Sequence, residues 1–317
     1  MAQLAIIANV NARRNREWPL AARELRKAAP GATLYETHGD GDLRLAAKAI
    51  AAEAPRVLAI AGGDGTVTHT VTALAAEHLP LPAIALLGGG AFDSLAPLGG
   101  RGAAEDRLRR LSTAIHSGSE LRTTERDTLR VTERDTLRVT ERDTGRCGFR
   151  FGVGLPVRFI QAIYKTGNTG AWTSARLLVR AFGSSLSKGP FAKELYAPID
   201  LRVRLDGEEW PRIPIYGLVS SSVAEAGLHL KPFRRATEQP GAFQTLGLTA
   251  GPRQFALELP RLLFGRPARR DRLIEGVGEK LELHSPRPLA FFLDGEIYDS
   301  RGSLTVSPGP RVRLVRA

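Results

Sequence analysis

A chain of 317 residues, 43% hydrophobic and 25% charged, has the composition of a soluble globular protein with room for two domains. It holds no apolar run of the roughly 18 residues that a spanning helix needs, and its single cysteine, Cys147, excludes an intrachain disulfide and a cysteine-based metal cluster. A formal charge of +12 favours polyanionic partners such as nucleotides, anionic lipid surfaces or nucleic acid. The arginines are scattered through an Ala/Gly/Arg/Leu-rich chain, however, and 6% aromatic residues offer no evident stacking platform for single strands, so nucleic acid ranks last.

Leu4–Ala8 reads as a first buried strand, since this apolar stretch is too short for a signal peptide and lacks a basic start. With the lone cysteine it sets a cytoplasmic expectation. An Arg/Asn-rich loop leads into a helix over Pro19–Ala29, with Leu20, Ala21, Leu25 and Ala28 at helical spacing. A short strand at Thr33–Glu36 follows, then an amphipathic helix at Asp42–Ala54, a buried strand at Val57–Ala61 and a helix at Thr68–Glu77. A strand at Ile84–Leu87 runs into Gly88-Gly89-Gly90. Such alternation predicts a parallel sheet covered on both faces, with ligands beyond the carboxyl ends of its strands.

After about residue 118 the texture changes. Alternating segments at Leu201–Leu205, Ile213–Val219, Leu281–Leu283 and Leu289–Leu293 predict an antiparallel β domain, with Asp206-Gly207 and Asp294-Gly295 as hairpin-turn signals. Helical patterns persist at Phe159–Tyr164, Ala171–Phe182 and Phe255–Phe264. The octapeptide Thr124–Val131 recurs unchanged as Thr132–Val139 and begins again at Thr140. An even period keeps each side chain on its face of a strand, so Leu129, Val131, Leu137 and Val139 are expected on one face. Too few units are present for a solenoid, and a tolerated tandem expansion fits better. The predicted fold is thus α/β plus β: a Rossmann-like parallel-sheet nucleotide domain over 1–120, with the tail 305–317 a candidate addition, and an antiparallel β-sandwich-type domain over 121–304.

The chemistry concentrates at Gly62-Gly63-Asp64-Gly65-Thr66, where an apolar strand runs into glycines, a carboxylate and a hydroxyl before a helical segment. Glycines at a strand-to-helix turn let backbone N–H groups approach a phosphate, and the helix N-terminus adds a favourable partial charge. Asp64 then stands where a metal ion or a hydroxyl proton would sit. A merely tight strand–helix connection is the plainer reading, which the intact five-residue run disfavours.

Further motifs follow in a fixed order. Asn9-Val10-Asn11-Ala12-Arg13 closes the first strand, Thr37 ends the second before Gly39-Asp40, Gly89-Gly90-Ala91-Phe92-Asp93-Ser94-Leu95-Ala96 follows the fourth, and Phe291-Phe292-Leu293-Asp294-Gly295-Glu296 lies near the C-terminus. With Gly62–Thr66, this series resembles the diacylglycerol kinase-like lipid kinases, which include the sphingosine and ceramide kinases, over nearly the whole chain. The resemblance implies that Asn9, Asn11, Arg13, Thr37, Gly62, Gly63, Gly65, Thr66, Gly89, Gly90 and Asp93 hold ATP. It implies that Asp64 organises Mg²⁺ or activates the acceptor hydroxyl, with Asp294 the alternative general base and Glu296 its support. It makes the second domain lipid-binding and the reaction transfer of a γ-phosphate to a hydroxyl of diacylglycerol, a sphingoid base or ceramide. The metal ligands stay unassigned.

The chain departs from that pattern at four positions. His69 stands where a glutamate is usual, Ala91 where a threonine is, Asp93 where an asparagine is, and Gln244 where a further aspartate is. These support an alternative, a nucleotide- or lipid-binding pseudo-kinase. An NAD kinase, which shares the GGDG turn, is a third reading, although that family's downstream asparagine–glutamate pair and N-x-G-x-L-G-F segment are not recognisable. Asp206-Gly207-Glu208 repeats the D-G-E string of Asp294 and reads as a plain hairpin turn, so only position singles out Asp294. His69 reads as a helix-surface or cap residue. Phe255–Arg272 sets leucines and phenylalanines beside arginines, as an interfacial segment meeting anionic headgroups would, or as a core helix before a solvated loop. Ala171–Phe182 is a candidate acyl-pocket wall or ordinary core. Peripheral membrane association is the expected location, and a homodimer stays open.

Overall fold

The computed structural model describes the chain apart from residues 1–2, 13–14, 16–19, 78–79, 90–94, 101, 134–144, 168–170, 188, 226–230, 268, 270–271 and 317. It divides into two compact units, Met1–Arg126 with Pro310–Ala317, and Asp127–Gly309.

The first unit contains strands β1 (Leu4–Asn9), β2 (Thr33–Thr37), β3 (Val57–Gly62), β4 (Ala83–Gly89) and β5 (Thr123–Arg126), helices α1 (Leu20–Ala28), α2 (Asp40–Glu53), α3 (Asp64–Ala76) and α4 (Ala104–His116), and the C-terminal strand β18 (Val312–Val315). Its sheet runs β2-β1-β3-β4-β18-β5. All neighbours are parallel except β5, which runs antiparallel to β18. Every residue of β3 is buried, which is why the strand reads as an unbroken apolar run. Leu25 of α1 and Leu108, Leu111 and Ile115 of α4 share a core with Leu4, Ile6 and Ala59 on one face of the sheet. Ile7, Leu58 and Ile60, which alternate with those positions, are fully buried on the other face.

The second unit contains β6 (Leu129–Glu133), β7 (Arg146–Gly148), β8 (Arg150–Gly154), α5 (Leu155–Lys165), α6 (Ala171–Ser187), α7 (Pro190–Leu195), β9 (Arg202–Leu205), β10 (Glu208–Glu209), β11 (Gly217–Ser221), β12 (Phe243–Leu248), α8 (Pro252–Leu263), β13 (Leu273–Gly278), β14 (Leu281–His284), β15 (Leu289–Leu293), β16 (Glu296–Ser300) and β17 (Ser303–Pro308). Two antiparallel six-stranded sheets, β10-β9-β14-β17-β6-β7 and β13-β12-β11-β8-β15-β16, face each other across one core. Phe151, Leu218, Phe243 and Phe291 of the second sheet meet Leu129, Val131, Leu281 and Val306 of the first there. A second core joins Leu246 and Leu248 of β12 to Leu195 of α7 and Phe255 and Leu262 of α8, so helices form a third layer on that sheet.

Several boundaries differ from the sequence reading. Residues 121–126 go with the first unit because β5 pairs with β18, and 305–309 go with the second because β17 pairs with β6 and β14. The helix expected at Thr68 begins four residues earlier, at Asp64, because the glycine turn itself opens it. The strand expected from Ile213 begins at Gly217: Pro214 has no N–H to give a ladder, and only Ile215 bridges, to Ile199. The first octapeptide copy divides between β5 and β6, where Leu129 and Val131 share the buried face; Leu137 and Val139 lie outside the described residues.

Candidate active site

Strand register lines up the predicted nucleotide residues along the carboxyl edge of the first unit's sheet. Asn9 pairs with Thr37, Ala8 with Ala61 one residue before the strand ends, and Gly62 with Gly89. The order Thr37, Asn9, Gly62, Gly89 is therefore a row across four strands, as ligand sites in parallel sheets require.

Asn9 ties the row together. Its Nδ2 donates to Thr66 Oγ1 at 3.1 Å and its Oδ1 accepts from Asn11 N at 2.9 Å. Asn11 Nδ2 in turn donates to the His38 carbonyl at 2.9 Å. Behind them the buried Asn15 donates to the carbonyls of Asn9, at 2.7 Å, and Ala61, at 3.3 Å, bridging the ends of β1 and β3. Asn15 carried no spacing signal in the sequence; only its burial identifies it. Thr37 points inward, its hydroxyl donating to the Ala8 carbonyl at 3.3 Å, so it fixes β2 to β1 and is not turned to a ligand.

Gly62 must be glycine here. A Cβ built on it would lie 2.4 Å from Thr66 Oγ1, in the space where the Asn9–Thr66 bond runs. Gly63 is the N-cap of α3 in extended conformation and supplies no side-chain cap. The first N–H groups of α3, at Asp64, Gly65 and Thr66, thus lack intrahelical partners and sit at the positive end of the helix dipole. Asp64 opens the helix, is 9% exposed, and its Oδ1 accepts from Leu95 N at 3.1 Å. Gly88 and Gly89 have φ of 75° and 132°, conformations that L side chains rarely adopt, where β4 ends. Beneath that end the buried Arg107 of α4 donates to the Leu87 carbonyl at 2.6 Å, a support the sequence reading did not foresee. Arg13, Gly90, Ala91 and Asp93 lie outside the described residues. His69 bonds Asp40 of α2 at 2.9 Å, which gives it a helix-tethering partner.

This ground fits a nucleotide: a cradle that a side chain would fill, the amino end of a helix and one carboxylate. Among the described residues no cluster of three His, Cys, Asp or Glu could hold a metal by itself. Mg²⁺ is commonly held by one or two carboxylates together with substrate phosphates, so Asp64 is a sufficient protein partner.

In the second unit Asp294 and Gly295 form the two-residue turn between β15 and β16, and Glu296 follows it. Asp294 and Gly295 have φ of 47° and 95°, the type I′ conformation. Asp294 Oδ2 accepts from Phe149 N at 2.8 Å and Oδ1 from Arg150 N at 3.0 Å, with Arg150 Nε 3.5 Å away. Its side chain is wholly buried, and a Cβ on Gly148 would approach Oδ2 to 2.6 Å. Tyr164 Oη holds the same turn through the Gly295 carbonyl at 2.7 Å. As a base, Asp294 would take its proton on a carboxylate that already accepts from two buried N–H groups. Asp206 likewise accepts from Glu279 N and Lys280 N at its own D-G turn, so the two identical strings share one construction. Glu296, just past the turn, is exposed. Gln244 is buried, its Oε1 accepting from Arg235 N at 2.8 Å, so it supplies no charge to a site.

The first unit is therefore a parallel α/β domain with a glycine-rich turn at the carboxyl edge of its sheet. Residues 3–124 match the model of the diacylglycerol kinase catalytic domain. That match covers 122 of the 317 residues, all within the first unit. A crystal structure designated a candidate diacylglycerol kinase from Bacillus anthracis str. Sterne superposes with a TM-score of 0.70 at 13% identity, covering 99% of this chain and 95% of that one. A second structure from the same organism gives 0.71 at 12% identity, covering 98% and 96%. At such identities the likeness establishes the fold of both units. No curated protein sequence matches the chain.

Proposed function

We propose that the protein is an ATP- and Mg²⁺-dependent lipid kinase that phosphorylates a hydroxyl of diacylglycerol, a sphingoid base or ceramide. The single observation that carries this is the cradle at Gly62–Thr66, where Asn9 locks Thr66 and the open end of α3 faces the carboxyl edge of the sheet. ATP supplies the transferable phosphoryl group and Mg²⁺ neutralises its charge. The N–H groups of Asp64, Gly65 and Thr66 bind phosphate, and Asn9 keeps Thr66 in place. Asp64 organises the metal or takes the acceptor proton. Of the two C-terminal acids, Glu296 is exposed and is proposed to exchange a proton, with Asp294 holding its turn rigid. Incubating the purified protein with ATP, Mg²⁺ and each lipid tests the reading. Lipid phosphate formed from at least one lipid supports it; none from any lipid, while a family enzyme works alongside, overturns it.

The binding-module reading has its own support in Gln244, which is spent on Arg235 N where an acid is usual. ATP retention without turnover in the same assay would select it.

A further inference from the structure

Two helices of the second unit turn apolar side chains outward in straight rows. On α6, Trp172, Val179 and Leu186 are 83%, 72% and 37% exposed. A spacing of seven is close to two helical turns, so the three lie in line along roughly 20 Å of one face. Leu177 and Ser185, on the opposite face, are buried. On α8 and its C-cap, Leu257 and Phe264, also seven apart, are 59% and 76% exposed, while Phe255 and Leu262 are in the core. The outward face is therefore narrower than the segment Phe255–Arg272 suggests. α6 packs against α8, where Arg253 Nε donates to the Leu186 carbonyl at 2.8 Å.

On these two helices the exposed charges have one sign. α6 contains Arg176 and Arg180 and no acidic residue. α8 presents Arg253 and Arg261, and its one carboxylate, Glu258, is buried and held by Arg272 at 2.8 Å. A hollow of about 740 Å³ opens beside Trp172, Arg176, Val179 and Arg180. A second copy docked here by two-fold symmetry would set arginines against arginines with no acid to pair them. Anionic headgroups satisfy those arginines, and the headgroup boundary accepts protruding Trp, Val, Leu and Phe side chains.

We propose that this α6–α8 face docks on bilayers containing anionic phospholipid. The inference does not depend on phosphoryl transfer, because docking needs neither ATP nor a lipid hydroxyl.

The test is sedimentation of the full chain with phosphatidylcholine vesicles with or without 30% phosphatidylglycerol, alongside tryptophan emission. Binding to the anionic vesicles, a blue shift that Trp172→Phe removes, and weakening by salt are expected. Trp172→Ser with Val179→Ser should reduce partitioning at least roughly tenfold. Arg176→Glu, a substitution at an exposed site that leaves the thermal melt unchanged, should reduce it roughly ten- to thirtyfold on anionic vesicles alone. Equal binding by wild type and both variants overturns the proposal, as does equal binding to pure phosphatidylcholine. Self-association lost in the Trp172 variant, with no vesicle binding by wild type, also overturns it and assigns the face to a dimer.

Discussion

The surroundings of Asp64, Asp294 and Glu296 separate their roles. On the proposed function Asp64 acts at a phosphate-binding turn, so Asp64→Asn should lower transfer by roughly 10²–10⁴-fold, the span of positioned acid–base groups. ATP retention, followed by equilibrium dialysis, should largely persist because the N–H cradle remains. Asp294 is buried against Arg150 and two N–H groups, so Asp294→Ala should cost about 3–5 kcal/mol in a urea melt, the usual loss when one member of a buried pair is removed. Glu296→Gln should leave that melt within about 0.5 kcal/mol and act on turnover instead. Equal melting losses in the two variants would contradict the division. Gly62→Ala forces a methyl group onto Thr66 Oγ1 and should destabilise by about 1–3 kcal/mol through overpacking.

At the scale of elements, the link between β2 and α2 makes a pH prediction. Tyr35 Oη donates to Glu53 Oε1 at 2.7 Å, and burial, then that bond and the Glu53 charge, push the phenol up to about 12. The folded value lies above the unfolded value of about 10. The stability it contributes is therefore complete below pH about 10 and lost as pH rises through about 12. Melts across that window should fall less steeply for Tyr35→Phe than for wild type. The octapeptide makes another prediction. Deleting 132–139 places the identical Thr140-Glu141 where Thr132-Glu133 pair with β17 and shortens the β6–β7 connection to an ordinary hairpin loop, so folding should survive with little change in melting temperature.

The same elements show what was legible in the sequence. Buried parallel strands such as Val57–Gly62 declare themselves by unbroken apolar runs, and their glycine-rich ends mark the site. The sequence reading assigned no helix at α4, although its Leu108, Leu111 and Ile115 have helical spacing with polar and charged residues between them. Short strands such as β7 and β10 carry too few residues to show a period. The roles of Asp294, Asn15 and Arg107 depend on partners far along the chain, which no local pattern records.

For the whole molecule, an α/β unit with a glycine-rich turn and a β/β/α unit with a basic, apolar-studded helical face stand in one chain of net charge +12. The central claim is phosphoryl transfer to lipid. Its most direct test is the purified chain with γ-labelled ATP, Mg²⁺ and mixed micelles of diacylglycerol, sphingoid base and ceramide, read by the label recovered in extracted lipid. The account predicts labelled lipid phosphate from at least one of the three, lost in Asp64→Asn. Absence of label from all three, with a family enzyme active in parallel, would contradict it.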